Sequence, residues 1–427
     1  MITTEAIGPD ALPAIPSGTD GAVTWVREHL GHLCRDDPAA SPAFRGGQEA
    51  ADSALSSLDI SGYARSRSMV YPPSTRGASK LSPYIRHGLL PLQTVWDATE
   101  NAPSYDRFRY QGELLWQEHA RQWYAIYGGA TRTPISHEPA HSTKPWPHPA
   151  WWREMRCVDA TVAELERDGW CVNQTRMWLA SQHCVRAGKD MRSGEDEMFA
   201  HLLDGSRAAN RMGWQWVAGT SRPRSGGFAR QQVKKRASRF CDTCTLADAC
   251  PIAGYARTKK RATVALPDVI DPTRAFGPTT GPHSSAADAV WLTAESLGVT
   301  DPALTANPRL PAVFVFDEPL LSRLQLSGKR LVFLAETLGE LSRRRELALY
   351  LGDPAKVLAD TTVAVTFAPV PGFRRLASSS NFAVESYPWP WLRPPTDQLR
   401  DHVGSTNKYP TFKQWCRITK PESQETT

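Results

Sequence analysis

The spacing of apolar positions changes partway along the chain. Before about residue 265 it is helical: Val158, Val162 and Leu165 share one face, as do Met198 and Leu202. Beyond residue 286 the apolar residues gather into short unbroken runs, Ala289-Val290-Trp291-Leu292 and Ala312-Val313-Phe314-Val315-Phe316, with further strands predicted at 347–351 and 363–367. Between these runs a helix carries Leu331, Leu334, Leu338 and Leu341 on one face. Unbroken apolar strands spaced by helices are what a sheet covered on both faces requires, so this part predicts a small parallel α/β sheet. Segments rich in Pro and Gly punctuate the rest. The predicted organisation is a loose N-terminal arm over 1–43 with one helix near 23–33, a helical domain over 44–265, a linker over 266–285, an α/β domain over 286–392 and a tail over 393–427.

At 427 residues the chain exceeds what one hydrophobic core normally organises, in keeping with two domains. Mean hydropathy is −0.42, and there is no apolar run long enough to span a membrane. The first residues lack a basic stretch followed by an apolar one, so a secretory signal is not expected and the cytoplasm is the expected location. Net charge is +6. The excess concentrates between Arg222 and Arg261, where Arg224, Arg230, Lys234, Lys235, Arg236, Arg239, Arg257, Lys259 and Lys260 also lie. Such a stretch either grips phosphates or forms a solvated surface.

Cys241, Cys244 and Cys250-Pro251 give the spacing C-x2-C-x5-C-P. Without a disulfide-permissive signal this argues for a metal site, which needs a fourth thiolate from elsewhere in the chain. Cys34, Cys171, Cys184 and Cys416 read as buried small hydrophobes, with Cys171 and Cys184 as fallback ligands.

Several ordered motifs then narrow the reading. Leu203-Asp204-Gly205-Ser206-Arg207-Ala208-Ala209-Asn210-Arg211-Met212-Gly213-Trp214-Gln215-Trp216 resembles the flavin-embracing segment of the DNA photolyase and cryptochrome superfamily. Upstream, Gly77-Ala78-Ser79-Lys80-Leu81-Ser82-Pro83-Tyr84-Ile85 is similar to its T-S-x-L-S-P-Y-L run. Glu113-Leu114-Leu115-Trp116-Gln117-Glu118 is similar to E-L-x-W-R-E, Val158-Asp159-Ala160 to V-D-A, and Asn173-Gln174-Thr175-Arg176-Met177 to N-R-x-R-M. A set of motifs in order is far more specific than one glycine signature. The resemblance implies a mainly helical FAD-binding domain of photolyase type followed by a small C-terminal parallel α/β domain. Val290-Trp291-Leu292 and Asp301-Pro302-Ala303-Leu304 resemble segments of the α/β domain that opens a conventional photolyase, so the order here implies a circular permutation. That domain lacks a Gly-rich phosphate loop, so a packing role is expected for it, and nothing identifies an antenna pigment.

The resemblance also implies roles for single residues. Ser79, Leu81 and Ser82 would hold the pyrophosphate from a turn ahead of a helix. Asn210 would face N5 of the isoalloxazine, where an amide can donate or accept while a carboxylate would repel a reduced anionic ring. Arg176 and Asp204 would pair against the ring, with Ser206 close by. Glu113, Trp116, Asn173, Met177 and Trp216 resemble the pocket that receives a cyclobutane pyrimidine dimer, and Trp214 the first member of an electron-transfer chain. An iron–sulfur branch of bacterial photolyases has one distant cysteine followed by a trio, which implies Cys157 as the fourth ligand beside Cys241, Cys244 and Cys250. Four cysteinates suit a [4Fe–4S] cluster or a structural zinc.

Departures from the pattern matter too. Ser206 stands where the family has a second Asp, Gln174 and Gln117 stand for arginines, Val172 for a His, and Met191 for the next tryptophan of the chain. The missing His argues against repair of (6-4) photoproducts. Three functions follow: light-driven electron transfer from reduced FAD to dimers in UV-damaged DNA, held in part by the basic stretch 222–261; a repurposed flavin oxidoreductase acting on a small molecule; or a blue-light sensor.

Overall fold

The computed structural model describes residues 10–420; residues 1–9 of the predicted arm and 421–427 of the predicted tail lie outside them. Six strands make one sheet: β1 (Ala11–Leu12), β2 (Ala289–Leu292), β3 (Ala312–Asp317), β4 (Leu347–Gly352), β5 (Thr362–Thr366) and β6 (Ala383–Tyr387). Their order is β1-β4-β3-β2-β5-β6. The five strands from β2 onward are parallel, with Val290 opposite Ala312, Val313 opposite Ala348 and Ala364 opposite Glu385. All four residues of β2 and the first five of β3 are buried, as the unbroken apolar runs require.

From Ala11 onward the N-terminal segment is not a loose arm. Ala11 and Leu12 pair antiparallel with Tyr350 and Leu349 of β4, closing one edge of the sheet. The helix Thr19–Leu30 buries Ala22, Trp25, Val26 and Leu30, a helical spacing, and Trp25 packs on Phe316 of β3 with ring centroids 5.7 Å apart. The helix Gly328–Leu341 is buried nearly all round. It packs on the Thr19–Leu30 helix, while its Phe333 meets Tyr84 and His87 of the helical region at 6.0 and 5.0 Å.

The helical region is built on the helices Ser104–Tyr127, Arg156–Asp168, Asn173–Ala180, Met191–His201, Ala209–Ala218 and Arg230–Asp242. Asn173–Ala180 runs on into a single π-helical stretch, Ser181–Arg186. The last described segment returns to this region. Its helices Asp397–Thr406 and Phe412–Ile418 bury Leu399, Val403 and Trp415 against Leu115, Trp123 and Ile126 of the Ser104–Tyr127 helix. Trp415 Nε1 donates to Gln122 Oε1 at 2.8 Å. Among the described residues no helix is long and apolar enough to cross a membrane.

Candidate active site

Ser79 and Ser82 flank a sharp turn in which Lys80 is left-handed (φ 59°) and Leu81 is fully buried, leading into the short helix Ser82–Arg86. The buried leucine pins the loop while both hydroxyls remain half-exposed. Tyr110 Oη donates to Ser79 Oγ at 3.0 Å, and Trp170 Nε1 donates to Ser82 Oγ at 3.1 Å. The Arg176 guanidinium lies 6.0 Å from the Trp170 ring centroid and donates twice to Asp204, at 3.0 and 2.8 Å. Burial works against the Arg176 charge, but Asp204 and the Cys171 side chain outweigh it and its pKa is raised. Ser82, Trp170, Arg176 and Asp204 thus form one connected line.

From Asp204 the chain turns through Gly205 and Ser206 into the Ala209–Ala218 helix. A Cβ on Gly205 would stand 2.8 Å from Leu202 O and from Arg330 Nη1, so the turn needs glycine. Ser206 Oγ accepts from the backbone N–H groups of Ala208 and Ala209 at 3.3 and 3.4 Å. The serine that replaces an expected aspartate therefore braces the turn just ahead of the helix. One turn on, Asn210 Nδ2 is buried with no partner among the described residues. A buried amide left unpaired costs about 1–3 kcal/mol, so this donor calls for an acceptor from outside the chain. Trp214 follows four residues later, 3% exposed.

The residues likened to a lesion pocket lie on three helices. Glu113 is ion-paired with Arg67. Trp116 remains 40% exposed, but one face is covered by Phe412, stacked at 3.8 Å and 10°. Asn173 is exposed at a helix start and Met177 is half-buried. Trp216 carries the Arg222 guanidinium 3.6 Å above its ring. The contacts of Glu113, Trp116 and Trp216 are thus with residues outside the predicted set.

The family described as the FAD binding domain of DNA photolyase matches residues 110–242, the stretch that holds the Arg176–Asp204 pair, Asn210 and most of the three helices. The helical region is a photolyase-type FAD-binding domain. The chain is 30% identical over 205 residues to a deoxyribodipyrimidine photo-lyase of Thermus thermophilus, covering 44% of this chain and 46% of that one. It is 30% identical over 162 residues to one from Synechococcus sp., covering 34% and 33%. It therefore spans less than half the length of these relatives. Among solved structures it is similar to a bacterial class III photolyase from Agrobacterium tumefaciens (25% identity, TM-score 0.37, 46% and 45% of the two chains) and to a Synechocystis sp. cryptochrome (22%, TM-score 0.40, 47% and 45%).

Within the photolyase-type domain the side chains of Cys157, Cys241, Cys244 and Cys250 line one small cavity of about 20 Å³, together with Met155, Arg230 and Phe240. Burial, then the neighbouring Cys241, Cys244 and Cys250, pushes the Cys157 thiol up to about 12. All four are free thiols. Among the described residues no three His, Cys, Asp or Glu side chains converge on a single metal position. Cys171 and Cys184 are buried as expected, whereas Cys34 and Cys416 are only half-buried.

A cavity of about 530 Å³ lies between the carboxyl ends of β2, β3 and β5 and the photolyase-type domain. Seven arginines line it: Arg86, Arg121, Arg132, Arg207, Arg211, Arg323 and Arg330, over a floor that includes Trp291, Phe314 and Phe316. Sequence reasoning missed this cavity, and also Arg67, Tyr110, Trp170 and Phe412. Tyr110 lies one helical turn before Glu113 and Trp170 lies just before the Asn173 motif, so proximity to motifs was the one available signal. The cavity gathers side chains from many separate segments and carries no local signal.

Proposed function

We propose that the chain is a light-driven electron-transfer flavoprotein that splits cyclobutane pyrimidine dimers in DNA. The observation that carries the flavin part is the buried Asn210 amide, without a partner among the described residues, which follows Asp204 of the Arg176–Asp204 pair by six positions in the chain. Bound FAD supplies the absorption of blue light and the transferable electron. Ser79 and Ser82 offer hydroxyls to the pyrophosphate, and Asn210 offers a donor to the ring edge. Arg176, held by Asp204, presents a fixed positive charge that favours a reduced anionic ring. Glu113 hydrogen-bonds the extruded pyrimidines after leaving Arg67, while Trp116 and Trp216 pack on them. The basic stretch between Arg222 and Arg261 binds the phosphates on either side.

Anaerobic incubation of the reduced holoprotein with a thymine-dimer oligonucleotide, in blue light and in darkness, tests this reading. Light-dependent loss of dimer is expected, and Glu113→Ala is expected to weaken it. A protein that holds reduced FAD yet leaves the dimer intact in light is not a photolyase.

A second reading is a flavin oxidoreductase acting on a small anionic molecule. Phe412 on Trp116, Arg67 on Glu113 and the arginine-lined cavity favour it. We further propose that Cys157, Cys241, Cys244 and Cys250 hold a [4Fe–4S] cluster, with zinc as the other occupant that four thiolates suit. The support is that all four face one cavity, with the spacing noted above. Iron, sulfide and zinc analysis of anaerobically purified protein decides between them. The placement of the α/β sheet after the flavin domain supports a circular permutation of the usual order.

A further inference from the structure

Position 191, where the family pattern has an indole, carries Met191, so the neighbour that an electron-transfer chain through Trp214 needs must be sought elsewhere. The structure sets a different pair of rings beside Trp214. His183 stands edge-on to it, with centroids 5.7 Å apart and planes at 78°. On its other side His183 meets Trp151 at 5.9 Å and 59°. Trp151 is half-buried, with Nε1 donating to Leu179 O at 3.0 Å, whereas Trp214 is buried. The three rings thus run from the interior toward the surface.

Two local devices create this contact. The π-helical stretch Ser181–Arg186 re-aims the side chains it carries, including His183, and such bulges cluster at functional sites. Gly194 faces the pair: a Cβ there would stand 2.4 Å from Trp214 Cη2 and 2.7 Å from His183 Cδ2, so any larger residue would push the rings apart. The imidazole is fixed by Nε2, 3.0 Å from the Asp190 carbonyl and 3.1 Å from Ser193 Oγ.

We propose that Trp214, His183 and Trp151 form the electron path between the flavin side of the Ala209–Ala218 helix and solvent. The inference rests on the flavin reading above. One electron leaves Trp214 toward the flavin. Trp151 refills Trp214 across the neutral His183 ring, which is neither oxidised nor protonated. The Trp151 radical cation then loses its Nε1 proton to water, and a thiol in solution returns one electron and one proton to it. Trp152 packs on His148 and Trp146 and is not paired with His183, which makes it a matched control.

The experiment is flash photolysis of the holoprotein with oxidised FAD and a thiol reductant, following the absorption of the long-lived indole radical. Trp151→Phe is expected to lower its yield by an order of magnitude, His183→Leu to slow its formation, and Trp152→Phe to change neither. A Trp151→Phe protein that retains its full flavin and matches the parent overturns the path. Failure to bind FAD at all overturns the flavin reading instead, and is seen before any variant is made.

A second readout needs no flavin. In the cofactor-free protein, protonated His183 quenches the emission of the indoles it touches. Burial lowers its pKa, Lys189 adding to this while Asp190 and Glu197 oppose it, so quenching sets in below the usual histidine range. His183→Leu removes that component of acid quenching. Identical acid quenching with and without His183 shows that the three rings do not touch and ends the proposal.

Discussion

At the scale of single residues, two buried charges set testable limits. Asp204 is 5% exposed and its only described ion-pair partner is Arg176. Removing one partner of a buried pair strands the other, so Asp204→Asn is expected to cost about 3 kcal/mol in denaturant unfolding and to lower flavin retention. A variant of unchanged stability would mean that Arg176 finds another acceptor. Glu118 is fully buried, and burial pushes its carboxyl up to about 7 against the pull of the Arg393 and Leu392 N–H groups and of Arg121. The folded state therefore holds a proton that the unfolded chain releases near its ordinary value. The resulting stability is full below about 4.5 and is lost as pH rises through about 7, on the order of 3 kcal/mol in all. Glu118→Gln keeps an acceptor for Arg393 and is expected to flatten the unfolding free energy across that window.

At the scale of elements, legibility followed burial. β2 was read at its full extent, and β3 to within one residue, because strands covered on both faces must be apolar throughout. β6, Ala383-Val384-Glu385-Ser386-Tyr387, is an edge strand with polar positions, and β1 is two residues long; neither carries a continuous signal. The π-helical stretch after Ala180 was equally silent, since its residues are ordinary helix formers. In the site, Arg176–Asp204 could be anticipated from the family resemblance of the motifs that carry it, whereas Phe412 on Trp116 required the tail's tertiary path. That contact makes a prediction of its own. The Phe412–Ile418 helix is anchored by the fully buried Trp415, so Phe412→Ala should free the Trp116 face without unfolding the helix. Binding of dimer-containing DNA is then expected to tighten several-fold in titration, and weaker binding would make Phe412 part of the platform itself.

Across the whole molecule, the helical region and the sheet share one apolar cluster, to which carboxylates of the Gly328–Leu341 helix add backbone anchors. Glu336 and Glu340 on the Gly328–Leu341 helix accept from the N–H groups of Gly46 at 2.7 Å and Glu49 at 3.2 Å, at the start of the Gln48–Ser56 helix. Glu340→Ala leaves the part-buried Glu49 N–H without its acceptor and is expected to cost about 1 kcal/mol. Calorimetry should then show a single transition at lower temperature, because the shared apolar cluster still couples the two halves, and two separate transitions would count against that coupling. The pairing of β1 with β4 has a further consequence, for synthesis on the ribosome. Ala11 and Leu12 are made before the flavin domain, yet their partners Tyr350 and Leu349 are made only after it. The apolar face of the Thr19–Leu30 helix must also wait for the Gly328–Leu341 helix. A nascent chain that keeps such surfaces open while all the intervening residues are made is exposed to aggregation in that interval, so its yield in cells depends on chaperone capacity and translation speed more than its finished stability indicates.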